Sequence, residues 1–207
     1  MNETVPKRAL LIVVSAPSGA GKTTLCDRLL AEFGNMAYSV SCTTRAPRAD
    51  EVDGTDYFFL DEHEFERRIE LNQFLEHAVV HGFYYGTLKS AVSEALEQGR
   101  DIIMDIDVQG AAQIRRQVGA LPPASPLRRA FVDVFIAPPS IAELRRRLEA
   151  RAQDAAEVIE SRLANAQDEM NRSHEYQYGV VNDDLERAYE LLRAILLAEH
   201  CRLRGPL

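Results

Sequence analysis

A lysine that follows a glycine-rich turn and precedes a threonine is the first place where this sequence could do chemistry. Ala16-Pro17-Ser18-Gly19-Ala20-Gly21-Lys22-Thr23 has the spacing of a phosphate-binding loop (P-loop), with Ala16 where the pattern asks for its first glycine. In such a loop the backbone N–H groups around Gly19 to Thr23 cradle phosphates, helped by the N-terminus of the following helix. Lys22 then reaches the terminal phosphates of a nucleotide, and the Thr23 hydroxyl holds Mg²⁺. Ala16 matters only if its backbone must take a positive φ, which a Cβ resists.

A P-loop gives nucleotide binding and no reaction, so an acceptor site must come from elsewhere. Ser41-Cys42-Thr43-Thr44-Arg45-Ala46-Pro47-Arg48 is the best lead. Two arginines beside a proline-fixed turn can grip one phosphate from two sides. Tyr57, Glu76, Tyr85 and Thr87 follow downstream and offer phenol, carboxylate and hydroxyl groups to a phosphate or a base. Ile102 to Asp107 is an apolar run ending in acids, and resembles the strand that places a carboxylate near Mg²⁺ in P-loop proteins. Strand alternation puts Asp105 and Asp107 on one side, so both can face a cleft. Arg147, Arg151 and Arg162 lie in a dense charged stretch. They read either as a solvated helix face laced with ion pairs or as arginines supplied by the chain itself to the transferred phosphate.

Those residues need elements to hold them. Leu10 to Val14 reads as a central buried strand and Thr23 to Phe33 as a helix closed by Gly34. Met36 to Thr44 and Asp56 to Leu60 read as strands, and Asp61 to Asn72 as a helix burying Phe65, Ile69 and Leu71. Phe74 to Val80 and Phe83 to Tyr85 read as a hairpin, with Thr87 capping a helix through Gln98. Further on, Ile102–Ile106 is a strand, Val108–Val118 a helix, 119–126 a proline-rich loop and Phe131–Ile136 a strand. Ser140 and Glu143 form a capping box for the next helix. A charged helix covers Asp154 to Met170, Val180-Val181 is a short strand, and a last helix runs from Asp183 to about Cys201. Strands alternating with helices at both ends predict a parallel α/β sheet. The aromatic, hairpin-rich stretch from about 41 to 93 reads as a lobe inserted at the carboxyl edge of that sheet.

Composition narrows the rest. The chain has 207 residues, enough for one mid-sized domain with its own core, and a formal net charge of −8. A wholly acidic chain is unsuited to general nucleic-acid binding, although a pocket can be locally basic. Cys26, Cys42 and Cys201 are odd in number, without CxxC spacing, and read as reduced thiols in the cytoplasm. The apolar run from Ala9 to Val14 is too short for a membrane span.

From about residue 9 to 200 the sequence resembles guanylate kinases. The resemblance rests on an ordered series of segments: APSGAGKTT, SCTTRAPR, GTDYFF, FLEHAVVHGFYYGT, DIDVQG, IAPPS, RRLEAR, ESRLANAQDEM and VNDDL. It implies a P-loop NTPase-type parallel sheet core with helices on both faces (9–40, 94–144 and 169–207). To this it adds an inserted mixed α/β GMP-binding lobe (41–93), a helical lid (145–168) and an N-terminal tail (1–8). It implies transfer of the γ-phosphoryl group of ATP to GMP, and to dGMP, giving ADP and GDP for GTP supply and GMP recycling, with Mg²⁺ accompanying ATP. Arg45, Arg48, Tyr57 and Tyr85 would hold the GMP phosphate, while Ser41, Glu76, Thr87 and Asp105, with Gly86, would line the guanine site. Thr24 and Asn182 would join Ala16 to Thr23 around ATP, and Lys22, Arg45, Arg147, Arg151 and Arg162 would act in catalysis. The departures are Ala16, Cys42 where serine is common, a long Val118–Arg129 segment, and a lid stretch, Ala150–Glu157, without its usual glycine. Two rivals stand beside this reading. An inactive guanylate-kinase-like interaction module would have a decayed phosphate site, whereas Lys22 and Thr23 are intact. A GTPase needs Asn-Lys-x-Asp, and Asn182-Asp183-Asp184 lacks the lysine.

Overall fold

The computed structural model describes residues 8–80, 82–150 and 155–202. Its first strand, β1 (Leu11–Ser15), is buried at every position. The residues Leu-Ile-Val-Val suit a strand covered on both faces, because branched side chains pack well on a pleated surface. The P-loop follows, and then α1 (Lys22–Glu32). β2 (Met36–Tyr38) continues the core sheet, which is completed by β7 (Asp101–Asp105), β8 (Phe131–Ala137) and β9 (Tyr178–Val181) in the order β2-β7-β1-β8-β9. All of its pairings are parallel, so the carboxyl ends of its strands share one edge.

Helices cover both faces. Ile12 and Val14 pack with Leu25, Cys26 and Leu29 of α1 and with Ala188, Leu192 and Leu196 of α8 (Leu185–Cys201). Leu11 and Val13 face the opposite layer, built from α3 (Lys89–Glu97) and α4 (Val108–Gly119) through Val92, Ala95, Ala111 and Ile114. Each of the valine, leucine and isoleucine side chains here, fully buried, contributes roughly 1.5–3 kcal/mol. The strand that carries the P-loop is thus anchored from both sides.

A second sheet stands apart, with β3 (Ser41–Thr43), β4 (Tyr57–Phe59), β5 (Phe74–Val80) and β6 (Phe83–Leu88) in the order β4-β3-β6-β5. It is mixed: β3 and β4 are parallel, while β6 runs antiparallel to β3 and β5. α2 (Glu62–Glu70) lies on it, with Phe65 stacked on Phe74 at 4.3 Å between ring centroids. Asp61 caps α2 by accepting from the Glu64 N–H at 2.7 Å.

The remaining elements are α5 (Pro126–Ala130), α6 (Ile141–Ala150), α7 (Ala156–Asn171) and a short 3₁₀ turn at Ser173–Glu175. α6 and α7 pair through Leu144, Leu148, Ile159 and Leu163. Among the described residues no helix is long and apolar enough to cross a membrane.

Several sequence expectations change. Met36–Thr44 is two strands in different sheets, because the chain leaves the core after the Ser39 N–H donates to the Ile103 carbonyl. Thr87 caps no helix; it lies within β6, and α3 starts only after Leu88. Leu71 is 54% exposed rather than buried, since α2 ends before it and the chain turns through Asn72 at φ 51°. The expected proline-rich loop is present at 120–125, but it leads into a helix not expected from the sequence, α5, which takes Pro126 at its first turn, where a missing N–H costs nothing. Half of the capping box forms: the Ser140 hydroxyl accepts from the Glu143 N–H at 3.1 Å, while the Glu143 carboxylate turns to Arg146 and Arg147.

Candidate active site

The P-loop leaves β1 at the carboxyl edge of the core sheet, where open α/β sheets bind ligands. Gly19 and Gly21 both take φ 92°, a conformation that L side chains resist. Ala16 is not among the residues with positive φ, so the departure at that position carries no backbone penalty. Its side chain is instead a buried part of the core.

Gly21 has a second constraint. A Cβ there would stand 2.3 Å from Nδ2 of Asn182. Asn182 is 5% exposed, and that nitrogen donates to the Ala20 carbonyl at 2.8 Å. Its own backbone carbonyl accepts from Arg147 at 2.9 Å, and its N–H donates to the Ala137 carbonyl. Asn182 therefore braces the P-loop and touches an arginine of α6 in this structure.

At the start of α1, the Lys22 ammonium lies 2.5 Å from the Asp105 carboxylate at the end of β7 and donates to the Ile106 carbonyl at 3.1 Å. The Thr23 hydroxyl donates to the other Asp105 oxygen at 3.3 Å. Thr24 is exposed on the same first turn. Asp107, expected to face the cleft beside Asp105, instead caps α4, its Oδ1 accepting from the N–H groups of Gln109 and Gly110. Arg162 of α7 lies 3.5 Å from the Ser18 hydroxyl. Arg151 falls outside the described residues.

Beside the second sheet stand two further groups. The Thr87 hydroxyl donates to Oε1 of Glu76 at 2.8 Å, and Ser41 Oγ lies 3.4 Å from the same hydroxyl. Glu76 is 8% exposed. Burial pushes its carboxyl above the usual carboxylate range; the Thr87 bond opposes this and the nearby Asp107 charge adds to it. Gly86 lies next to this group, and a Cβ there would come within 2.9 Å of the Glu76 carbonyl, so only glycine fits the register of β5 and β6.

Arg45, Tyr57 and Tyr85 form the other group. The Arg45 guanidinium sits 5.5 Å from the Tyr57 ring centroid, and the Tyr57 and Tyr85 rings meet edge to face at 6.0 Å. Arg45 also donates to Glu51 at 2.7 Å, and the Arg48 backbone N–H donates to the other Glu51 oxygen at 2.8 Å. The Arg48 side chain is exposed nearby.

A family model described as guanylate kinase matches residues 8–199. The chain belongs to the guanylate kinase family. It is 50% identical to a guanylate kinase of Cereibacter sphaeroides over 95% of this chain and 89% of that protein. A guanylate kinase of Maricaulis maris is 51% identical over 97% of this chain and 88% of its own length. The crystal structure of guanylate kinase from Anaplasma phagocytophilum superimposes with a TM-score of 0.67 at 32% identity, covering 96% of this chain and 89% of that one.

One residue at this site is not singled out by the sequence. Glu51 is one of several acids in a loop, and nothing in its spacing marks it as the partner of Arg45. Asn182, expected at the ATP site, holds the P-loop itself through a contact that spans a separation of 162 residues. Cys26, by contrast, is chemically quiet beside Lys22: burial pushes its thiol up to about 12, so it stays neutral.

Proposed function

We propose that the protein is an ATP-dependent kinase that phosphorylates GMP to GDP, working in the cytoplasm with Mg²⁺ bound alongside ATP. The observation that carries this reading is the coexistence of an intact P-loop lysine with a separate group, buried Glu76 and Thr87 with half-buried Ser41, suited to a guanine base. Guanine presents N1–H and N2–H₂ as donors on one edge. A carboxylate accepts from both, whereas adenine would leave it unpaired in a desolvated place. The intact Lys22 and Thr23 also favour an enzyme over an interaction module.

In this mechanism the P-loop N–H groups and Lys22 hold the ATP phosphates, and Arg45, Arg48, Tyr57 and Tyr85 hold the phosphate of GMP. The Asp105 contacts support a place beside the metal and the transferred group more than a place against the base. The Thr23 hydroxyl and the Asp105 carboxylate are hard oxygen donors, which suits Mg²⁺ held mainly by phosphates and water. Among the described residues no group of three or more His, Cys, Asp or Glu could cage a metal by itself. Mg²⁺ bound there would neutralise charge on the β- and γ-phosphate oxygens. Arg147 and Arg162, on the paired helices α6 and α7, would meet the transferred phosphate and exclude water as those helices move, a role supported by the contacts of Arg147 with Asn182 and of Arg162 with Ser18 beside the P-loop. Residues 41–93 then act as the GMP lobe and 145–168 as the lid.

A coupled assay of ADP formation with GMP, AMP, CMP and UMP in turn tests the reading: GMP alone should support fast turnover, and equal use of AMP would overturn it. The phosphate grip has its own consequence. A guanidinium bonds phosphate through parallel N–H groups, and an ammonium cannot. Arg45→Lys should raise the KM for GMP by about ten- to hundredfold and leave the KM for ATP nearly unchanged. Guanosine, lacking the phosphate, should bind the variant and the parent alike; equal weakening of guanosine and GMP would make Arg45 a structural residue of the lobe.

A further inference from the structure

β5 is an edge strand, paired on one side only, by β6. An edge leaves backbone N–H and C=O groups without a ladder partner. β5 is further loosened by a register shift between Phe74 and Glu76, just before the carboxylate that would read the base. Something must hold the strand there. At His77, the next residue, the backbone is gripped by one side chain from another part of the molecule. The His77 N–H donates to Oε1 of Gln113 at 3.1 Å, and Nε2 of Gln113 donates to the His77 carbonyl at 2.9 Å. The amide thus supplies the pair of bonds that a neighbouring strand would make.

Gln113 belongs to α4, which is fixed in the core by Val108, Ala111, Ile114 and Val118. One turn earlier on the same helix, Gly110 faces Glu76: a Cβ there would lie 3.4 Å from Oε2 of Glu76. Residues three apart share a helix face. One face of α4 therefore lets the Glu76 carboxylate approach at Gly110 and pins the following peptide at Gln113. Asp107 caps the N-terminus of the same helix, and its charge adds to the burial that raises the Glu76 carboxyl.

We propose that Gln113 is a positioning residue for guanine recognition: its amide clamps the His77 peptide and so holds the Glu76 carboxylate in reading geometry against the rigid core. This rests on Glu76 being the guanine acceptor. A misplacement of about 1 Å in a recognition group is enough to matter kinetically. Gln113 touches no substrate; it acts through its neighbour.

The test is steady-state kinetics on Gln113→Ala and on Gln113→Met, which keeps the aliphatic stem and loses both amide atoms, each alone and combined with Glu76→Gln. Thermal unfolding of every variant identifies any that fail to fold, and Gln113→Met preserves packing if the alanine variant does. The expected result is a fall of roughly three- to thirtyfold in kcat/KM for GMP, with the KM for ATP unchanged. In the Glu76→Gln background the same substitution should have almost no further effect, because the group it positions has gone. An equal loss in both backgrounds, a parallel rise in the KM for ATP, or no change in the folded variants would each overturn the proposal. If Glu76→Gln alone leaves GMP use intact, the reading of Glu76 itself fails, and that single variant shows it separately from anything measured at Gln113.

Discussion

Lys22→Met should lower turnover with ATP and GMP on the order of 10²–10³-fold while the protein remains folded. Phosphoryl transfer passes through a loose transition state whose charge spreads over the equatorial oxygens, so the enzyme contributes position and electrostatic stabilisation. Lys22 is the cation at the mouth of the P-loop, and Asp105 already fixes its direction. Methionine keeps the length of the stem and removes the ammonium, with its charge and its hydrogen bond to the Ile106 carbonyl. The structural cost should be modest, because both partners of the Lys22–Asp105 pair are only partly buried, and Asp105 left without the ammonium still has solvent and the Thr23 hydroxyl. The unfolding temperature should stay near that of the parent, and the KM for GMP should change far less than kcat. Near-normal turnover in a folded Lys22→Met protein would remove the P-loop from the mechanism.

Glu76→Gln should reduce kcat/KM for GMP by about 10²-fold or more with little change in the KM for ATP. Glutamine keeps the shape but turns one acceptor into a donor aimed at guanine's own donors. The same variant has a second expected effect, on the free protein. Burial raises the folded-state pKa of Glu76 above its unfolded value. The folded protein then holds the proton more tightly, so stability falls as pH rises from the ordinary carboxylate range through the raised value. At neutral pH the ionised carboxylate costs stability, and the glutamine variant should unfold at the same or a higher temperature than the parent. That gain should fade on acidification below the ordinary carboxylate range. Differential scanning calorimetry across pH, beside the kinetics, checks both. A lower unfolding temperature at neutral pH together with weakened ATP binding would make Glu76 a structural residue.

How much could be read from the sequence depends on how local the determining interactions are. β1, the P-loop and α1 are legible because a buried branched run, glycines at positive φ and an amphipathic helix are each specified by neighbouring residues. The start of α8 is legible for the same reason: Asp184 caps it by accepting from the Arg187 N–H. Met36–Thr44 was not legible as two strands, since its alternation continues while its partners change from β7 to β4 and β6. Thr87 has a side chain that suits a cap, and only the placement of β5 shows that its hydroxyl serves Glu76 instead. Glu51 and Gln113 belong to the same class. Each acts through a pairing that an acid or an amide in a single sequence does not announce.

The fate of labelled γ-phosphate is the most direct measurement. With ATP labelled in the γ-phosphoryl group, Mg²⁺ and GMP, the label should appear in the β-phosphate of GDP, one equivalent for each ADP formed. Without GMP, release of labelled inorganic phosphate should be far slower, because the lid arginines would then lack the second substrate that brings them into place. Label that reaches inorganic phosphate as fast without GMP as GDP forms with it, or that never enters GDP, would contradict a phosphoryl transfer from ATP to GMP.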